Sequence, residues 1–129
     1  MANTQIKKAK ITSERVKPTK GRPEVDAAGR DLFLKQVTSG LLEGHLTQGQ
    51  ALKELRLRVL NLKQEQYASM VGVSRKVLSQ IENDKGNFSF SIINKVFRPV
   101  GLQVGIIPRH QDVLRDALLT PSNKYEPKV

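Results

Sequence analysis

The sequence predicts an all-α domain: a bundle of short helices followed by one short C-terminal strand. Three observations predict it. Between residues 31 and 119, apolar residues recur at mostly helical spacing in runs separated by Gly, Pro, Ser, Thr or Asn. The available core formers are Leu, Ile and Val, with only four Phe, two Tyr and no Trp, which suits small helices better than a large sandwich. At Leu102–Pro108 the period changes: Leu-Gln-Val-Gly-Ile-Ile-Pro is close to alternation, the pattern of a strand.

The 129 residues divide into a basic arm (1–30), a folded domain (31–109) and a tail (110–129). In the arm eight Lys and Arg face three acidic residues, Pro18, Gly21, Pro23 and Gly29 interrupt any helix, and apolar residues are too sparse to offset the entropy of ordering. Asp31 is positioned to cap a first helix that carries Leu32, Phe33, Leu34, Val37, Leu41 and Leu42 and ends at Gly44. Thr47 opens a second, with Leu52, Leu55, Val59 and Leu60 inward. Lys63–Val71 and Ser74–Asn83 form a third and fourth, and Ser89 or Ser91 caps a fifth at Phe90–Phe97, closed by Pro99 and Gly101. A last short helix is expected at Gln111–Leu119, and Pro121–Val129 reads as loose.

The net charge of +10 calls for a polyanionic partner: nucleic acid, an anionic membrane or an acidic protein. With no cysteine, disulfides, thiolate metal sites and cysteine catalysis are excluded, and a reducing cytoplasm is the expected location. No apolar run approaches the roughly 20 residues that cross a bilayer, and Met1–Lys10 lacks the apolar stretch of a secretory signal. Catalysis finds little support. There is no Gly-rich phosphate loop and no His cluster; His45 and His110 read as ordinary surface residues, and Asp112 and Asp116 as a solvated face beside Arg115. Neither an enzyme nor a cofactor or metal is expected.

The informative stretch is Gln64–Glu82. Two short helices that cross steeply need a small residue at their contact, and Ala68 supplies it. The turn needs a residue tolerant of positive φ, Gly72, then an apolar plug, Val73. Ser74 caps the second helix, which Val77, Leu78 and Ile81 anchor. Arg75, Lys76, Ser79 and Gln80 are left facing outward, each able to hydrogen-bond base edges or phosphates in a major groove wide enough for a helix.

The run Gln-Glu-x-x-Ala, Gly-Val-Ser, Leu-Ser-x-Ile-Glu-Asn resembles the phage-repressor-like (XRE, or Cro/C1-type) helix-turn-helix family over roughly Gln50–Leu102. The resemblance implies sequence-specific binding of double-stranded DNA, with Arg75, Lys76, Ser79 and Gln80 reading bases. It places Lys63, Gln64, Tyr67, Ser74, Lys85 and Asn87 at phosphates. Alternatives stand beside these roles: Tyr67 as core-edge packing, Ser79 facing solvent, Lys63 and Lys85 as solvated charges. Arg56 and Glu82 are expected to form a structural ion pair, as family members often do. The chain departs from the family in three places: Asn61 and Asp84 stand where Gly is frequent, and one residue more than usual lies between Arg56 and Leu62. With Asp84 in place of Gly the turn there must close differently, and its carboxylate would repel phosphate mildly.

Two further signals follow. Lys20-Gly21-Arg22-Pro23 resembles the core of an AT-hook, a minor-groove reader; the alternative is a solvated linker with a general attraction for DNA. A lone strand leaves its backbone unpaired, so Leu102–Pro108 is expected to pair with the same strand of a second copy, with Leu102, Val104 and Ile106 facing the core and Ile107 meeting the partner. A helix-turn-helix followed by Leu-Gln-Val-Gly-Ile-Ile-Pro-Arg looks like the HipB-type antitoxin branch, which implies a homodimeric repressor that binds a HipA-type kinase toxin. A stand-alone phage-type or metabolic regulator and a protein-interaction adaptor are the competing readings.

Overall fold

The computed structural model describes residues 26–124 and 127–128. The AT-hook-like Lys20, Gly21, Arg22 and Pro23 lie outside the described residues. Among the described residues the secondary structure is helical, with six α-helices and no strand.

Helix α1, Ala27–Leu42, begins four residues before the Asp31 expected as its cap. Asp26 caps it instead, its Oδ1 accepting from the Gly29 amide at 2.7 Å. Asp31 lies exposed inside the helix. Gly29, read as a breaker, sits in the first turn, where the N–H groups lack intrahelical partners in any case and glycine costs least. Gly44, at φ +76°, stops α1 as expected of a left-handed residue after a helix.

Helix α2, Gln48–Leu55, starts with a reciprocal cap: Thr47 Oγ1 accepts from the Gln50 amide at 3.1 Å while the Thr47 amide donates to Gln50 Oε1 at 3.0 Å. It runs into a single π turn, Arg56–Leu60, closed by Asn61 in the left-handed region at φ +53°. This turn is wider than an α turn: both Asn61 and Leu62 amides return to the Arg56 carbonyl.

Helices α3, Gln64–Val71, and α4, Arg75–Glu82, form the crossed pair, and α5, Phe90–Phe97, packs against α3. Phe33 and Val37 of α1, Leu52 and Leu55 of α2, Tyr67, Ala68 and Val71 of α3, Leu78 and Ile81 of α4, and Val96 and Phe97 of α5 share one core. Arg58, in the π turn, lies over the Phe33 ring at 4.5 Å and 3.8 Å from Glu54, joining α1 to α2.

Leu102–Pro108 corrects the strand expectation. It forms no strand within the chain, because what the domain offers it is a helix end and a side chain: the Leu102 amide donates to the Phe97 carbonyl and the Val104 amide to Asn94 Oδ1 at 2.7 Å. Leu102 and Val104 are half-buried, but Ile106 is fully exposed rather than core-facing, and Ile107 is half exposed. Helix α6, Gln111–Leu119, then leans on α1 with no buried residue of its own. Gln111 Nε2 donates to the Glu43 carbonyl, Arg115 reaches Glu43 Oε2 at 3.2 Å, and a groove of about 480 Å³ between the two helices is lined by Leu34, Leu42, Leu114 and Leu118 with polar neighbours.

Candidate nucleic-acid interface

The α3–α4 junction has the construction that two short crossed helices require. Gly72 takes φ +78°, and its amide and that of Val73 both return to the Ala68 carbonyl, at 2.9 and 3.0 Å. An L side chain is strained at this φ, so the reversal depends on glycine. Lys95 Nζ lies 3.4 Å from the Gly72 carbonyl and complements the C-terminal end of α3. Ser74 Oγ accepts from the Val77 amide at 3.1 Å and starts α4.

Helix α4 is divided by burial. Leu78 and Ile81 are buried and Val77 half-buried. Arg75 and Lys76 are exposed, and Ser79 and Gln80 are half-exposed. The four residues expected to read bases therefore lie off the packed side of one rigid helix. Arg75 has one local partner, Glu65 of α3, at 4.0 Å with both side chains largely exposed. Such a pair is too weak to withhold the guanidinium from a nucleic acid.

The helix is anchored at its far end by a buried network. Arg56 Nε donates to Glu82 Oε2 at 2.6 Å and Nη2 to Oε1 at 2.9 Å, the paired arrangement expected for these residues. Arg56 Nη1 donates to the Leu62 carbonyl at 2.7 Å, and Gln64 Nε2 donates to Glu82 Oε1 at 2.9 Å. The three bonds to Glu82 hold α4 to the α2–α3 connection, and the bond to Leu62 fixes Arg56 within that connection. A buried pair of this kind fixes geometry more surely than it adds stability.

The predicted phosphate set separates here. Lys63, Ser74, Lys85 and Asn87 are exposed. Lys63 stands at the start of α3, where its amide is held by Gln66 Oε1 at 2.9 Å. Gln64 is half-buried with its amide nitrogen engaged by Glu82, so the part left for an anion is its first-turn backbone N–H. Tyr67 is not a phosphate contact. It is fully buried, its hydroxyl donates to the Val96 carbonyl at 2.6 Å, and its amide donates to the Lys63 carbonyl. Burial, then the nearby Glu82 carboxylate, pushes its phenol up to about 12.

Sequence reasoning missed what Asp84 does. Asp84 is exposed, but its carboxylate is engaged at the start of α2: Oδ2 accepts from Thr47 Oγ1 at 2.6 Å and Oδ1 from the Gly49 amide at 2.9 Å. The signal in the sequence was an Asp where the resemblance has Gly; its distant partner was not readable. Gly49 is buried, and a Cβ there would come within 2.5 Å of the Glu82 carbonyl oxygen, so α2 and the end of α4 touch backbone to backbone.

Asp112 lies 3.9 Å from Arg115, as a solvated pair. No helix among the described residues is long and apolar enough to cross a membrane. No curated protein and no solved structure matches the chain. Residues 52–104, which hold the crossed helices, the buried network and the exposed face of α4, match the helix-turn-helix family model, of the XRE type, and that match suggests a regulator that binds double-stranded DNA.

Proposed function

We propose that the chain is a sequence-specific transcriptional repressor that binds operator DNA as a homodimer. The observation that carries this reading is the division of α4: apolar anchors packed in the core, with Arg75, Lys76, Ser79 and Gln80 presented together away from it. In this reading these four side chains read bases in the major groove, while Lys63, the Gln64 backbone N–H, Ser74, Lys85 and Asn87 hold the flanking phosphates. The arm residues Lys20, Gly21, Arg22 and Pro23 add a minor-groove contact.

The dimer is proposed on the segment after α5. The amides of Leu102 and Val104 are used inward, whereas Gln103, Gly105 and Ile107 donate no hydrogen bond among the described residues. Those alternate groups suit pairing with the same segment of a second copy, which would also cover Ile106 and Ile107. The antitoxin role, with a HipA-type kinase toxin as partner, rests on the sequence resemblance alone, and a stand-alone regulator satisfies the same geometry.

The test is retention of sheared genomic DNA by the purified protein at moderate salt, followed by sequencing. Enrichment of a two-fold symmetric site upstream of its own gene is the expected result. Indiscriminate retention that disappears as salt rises would show generic charge attraction instead.

A further inference from the structure

Asp84 stands at the turn that ends the helix assigned to base reading, in a conformation that L side chains other than Asn and Asp seldom adopt, φ +58°. The turn is a regular helix stop. The Lys85 amide returns to the Gln80 carbonyl at 2.8 Å and the Asp84 amide to the Ile81 carbonyl at 3.1 Å. Glycine is the usual residue at that position, because it has no Cβ to strain. An aspartate there needs another reason, and its side chain supplies one. Both carboxylate oxygens are engaged on the start of α2, with Thr47 Oγ1 at 2.6 Å and the Gly49 amide at 2.9 Å. The carboxylate thereby occupies a helix N-terminus, where negative charge is favoured, thirty-five residues away in sequence.

We propose that Asp84 is a positioning residue for DNA binding: it clamps the loop Lys85-Gly86-Asn87 to the α2 N-terminus and so fixes where Lys85 and Asn87 meet the phosphate backbone. This rests on the DNA-binding reading above. The clamp acts one residue before Lys85 and two after Glu82, so it ties the phosphate-facing loop to the same body that holds α4. Two donors hold the carboxylate at the start of α2, turned toward that helix end rather than left free in the loop.

The experiment compares D84G and D84N with the wild-type chain. D84G keeps the turn, since glycine adopts the required φ without strain, and loses the clamp. D84N keeps an acceptor for the Gly49 amide and a partner for Thr47 Oγ1. Two readouts are taken: backbone amide relaxation of Lys85–Asn87 in the free protein, and affinity for the operator recovered from genomic DNA as a function of salt. D84G is expected to increase loop motion and weaken operator binding about three- to tenfold, measured at a temperature where both chains are folded. D84N is expected to stay within about twofold of wild type on the same hydrogen-bond argument. Operator binding unchanged in D84G overturns the proposal alone. Tighter binding in both variants overturns it as well, because Asp84 would then be facing phosphate. A wild-type chain that retains no duplex at low salt overturns the DNA-binding reading, and this proposal with it.

Discussion

Helices α4 and α6 are nearly the same length, eight and nine residues, and both are amphipathic, yet they belong to the molecule in different ways. Helix α4 buries Leu78, Ile81 and Glu82, and is tied by Arg56, Gln64 and the Asp84 clamp to three other parts of the chain. Helix α6 buries nothing, leaves Val113, Leu118 and Leu119 exposed, and meets α1 mainly through polar contacts at Glu43. An amphipathic pattern thus states that a helix has an apolar side; whether that side is filled depends on neighbours the pattern does not name. The rigid side of the molecule is the one that carries the candidate base readers, as a site held to a productive geometry requires.

The comparison breaks most sharply at Glu82. Glu82→Ala should leave the Arg56 guanidinium buried without its carboxylate and cost about 3–5 kcal/mol in urea unfolding. A loss below about 1 kcal/mol, the level of a surface pair, would mean that α4 is no better anchored than α6. Tyr67 gives the next test. Its phenol titrates near 12 in the fold against an ordinary 10.0, so the raised value favours the neutral, folded form. The contribution is fully present below pH 10 and is lost as the pH rises toward 12, and it amounts to about 2–3 kcal/mol by linkage. Tyrosinate absorbance should show one late-titrating phenol that Tyr67→Phe removes; a single titration near 10 for both tyrosines would contradict the buried placement.

The exposed side of α4 should behave in the opposite manner. Arg75→Ala or Gln80→Ala should leave the melting temperature unchanged and cost about 1–3 kcal/mol of operator binding, with relaxed preference at one base pair. An equal loss on every duplex would reassign the residue to phosphate. The smallest effect belongs to α6. A hydrogen bond from Ser39, then Arg115, holds the Glu43 carboxyl below its ordinary 4.5. Its contribution is therefore present above that value and is lost as the pH falls through the folded one. Glu43→Gln should cost less than about 1 kcal/mol near neutral pH; a loss comparable to Glu82→Ala would show that α6 is an integral part of the core.

What the sequence made legible follows the same division. From Gln64 to Glu82 nearly every local feature was readable, because each rests on chemistry within a few residues: Gly72 for its φ, Ser74 for its cap, Val77, Leu78 and Ile81 for their spacing. The Arg56–Glu82 pair was readable only through resemblance. Features that depend on a distant partner were not. Tyr67 offers an apolar ring and a polar tip, so packing and phosphate contact looked alike until Val96 supplied the acceptor. Asp31 and Asp26 are both capping residues by type, and only the structure shows that it is Asp26 whose side chain accepts from the first turn. Alternation at Leu102–Ile106 suggested a strand, but a strand exists only where a second backbone edge meets it.

The π turn at Arg56–Leu60 works as a splice. One extra residue is looped out inside a helix, with Asn61 and Leu62 both returning to the Arg56 carbonyl. Arg56 before it and Gln64 after it still meet the same carboxylate. The widening is thus confined to one turn. The same looped segment carries Arg58 onto the Phe33 ring. Deleting one residue there should restore an ordinary helical turn and spare α4, while α1 loses its latch, visible as faster amide exchange confined to Ala27–Leu42. The widened turn is thereby also the point at which α1 is fastened to the rest of the domain.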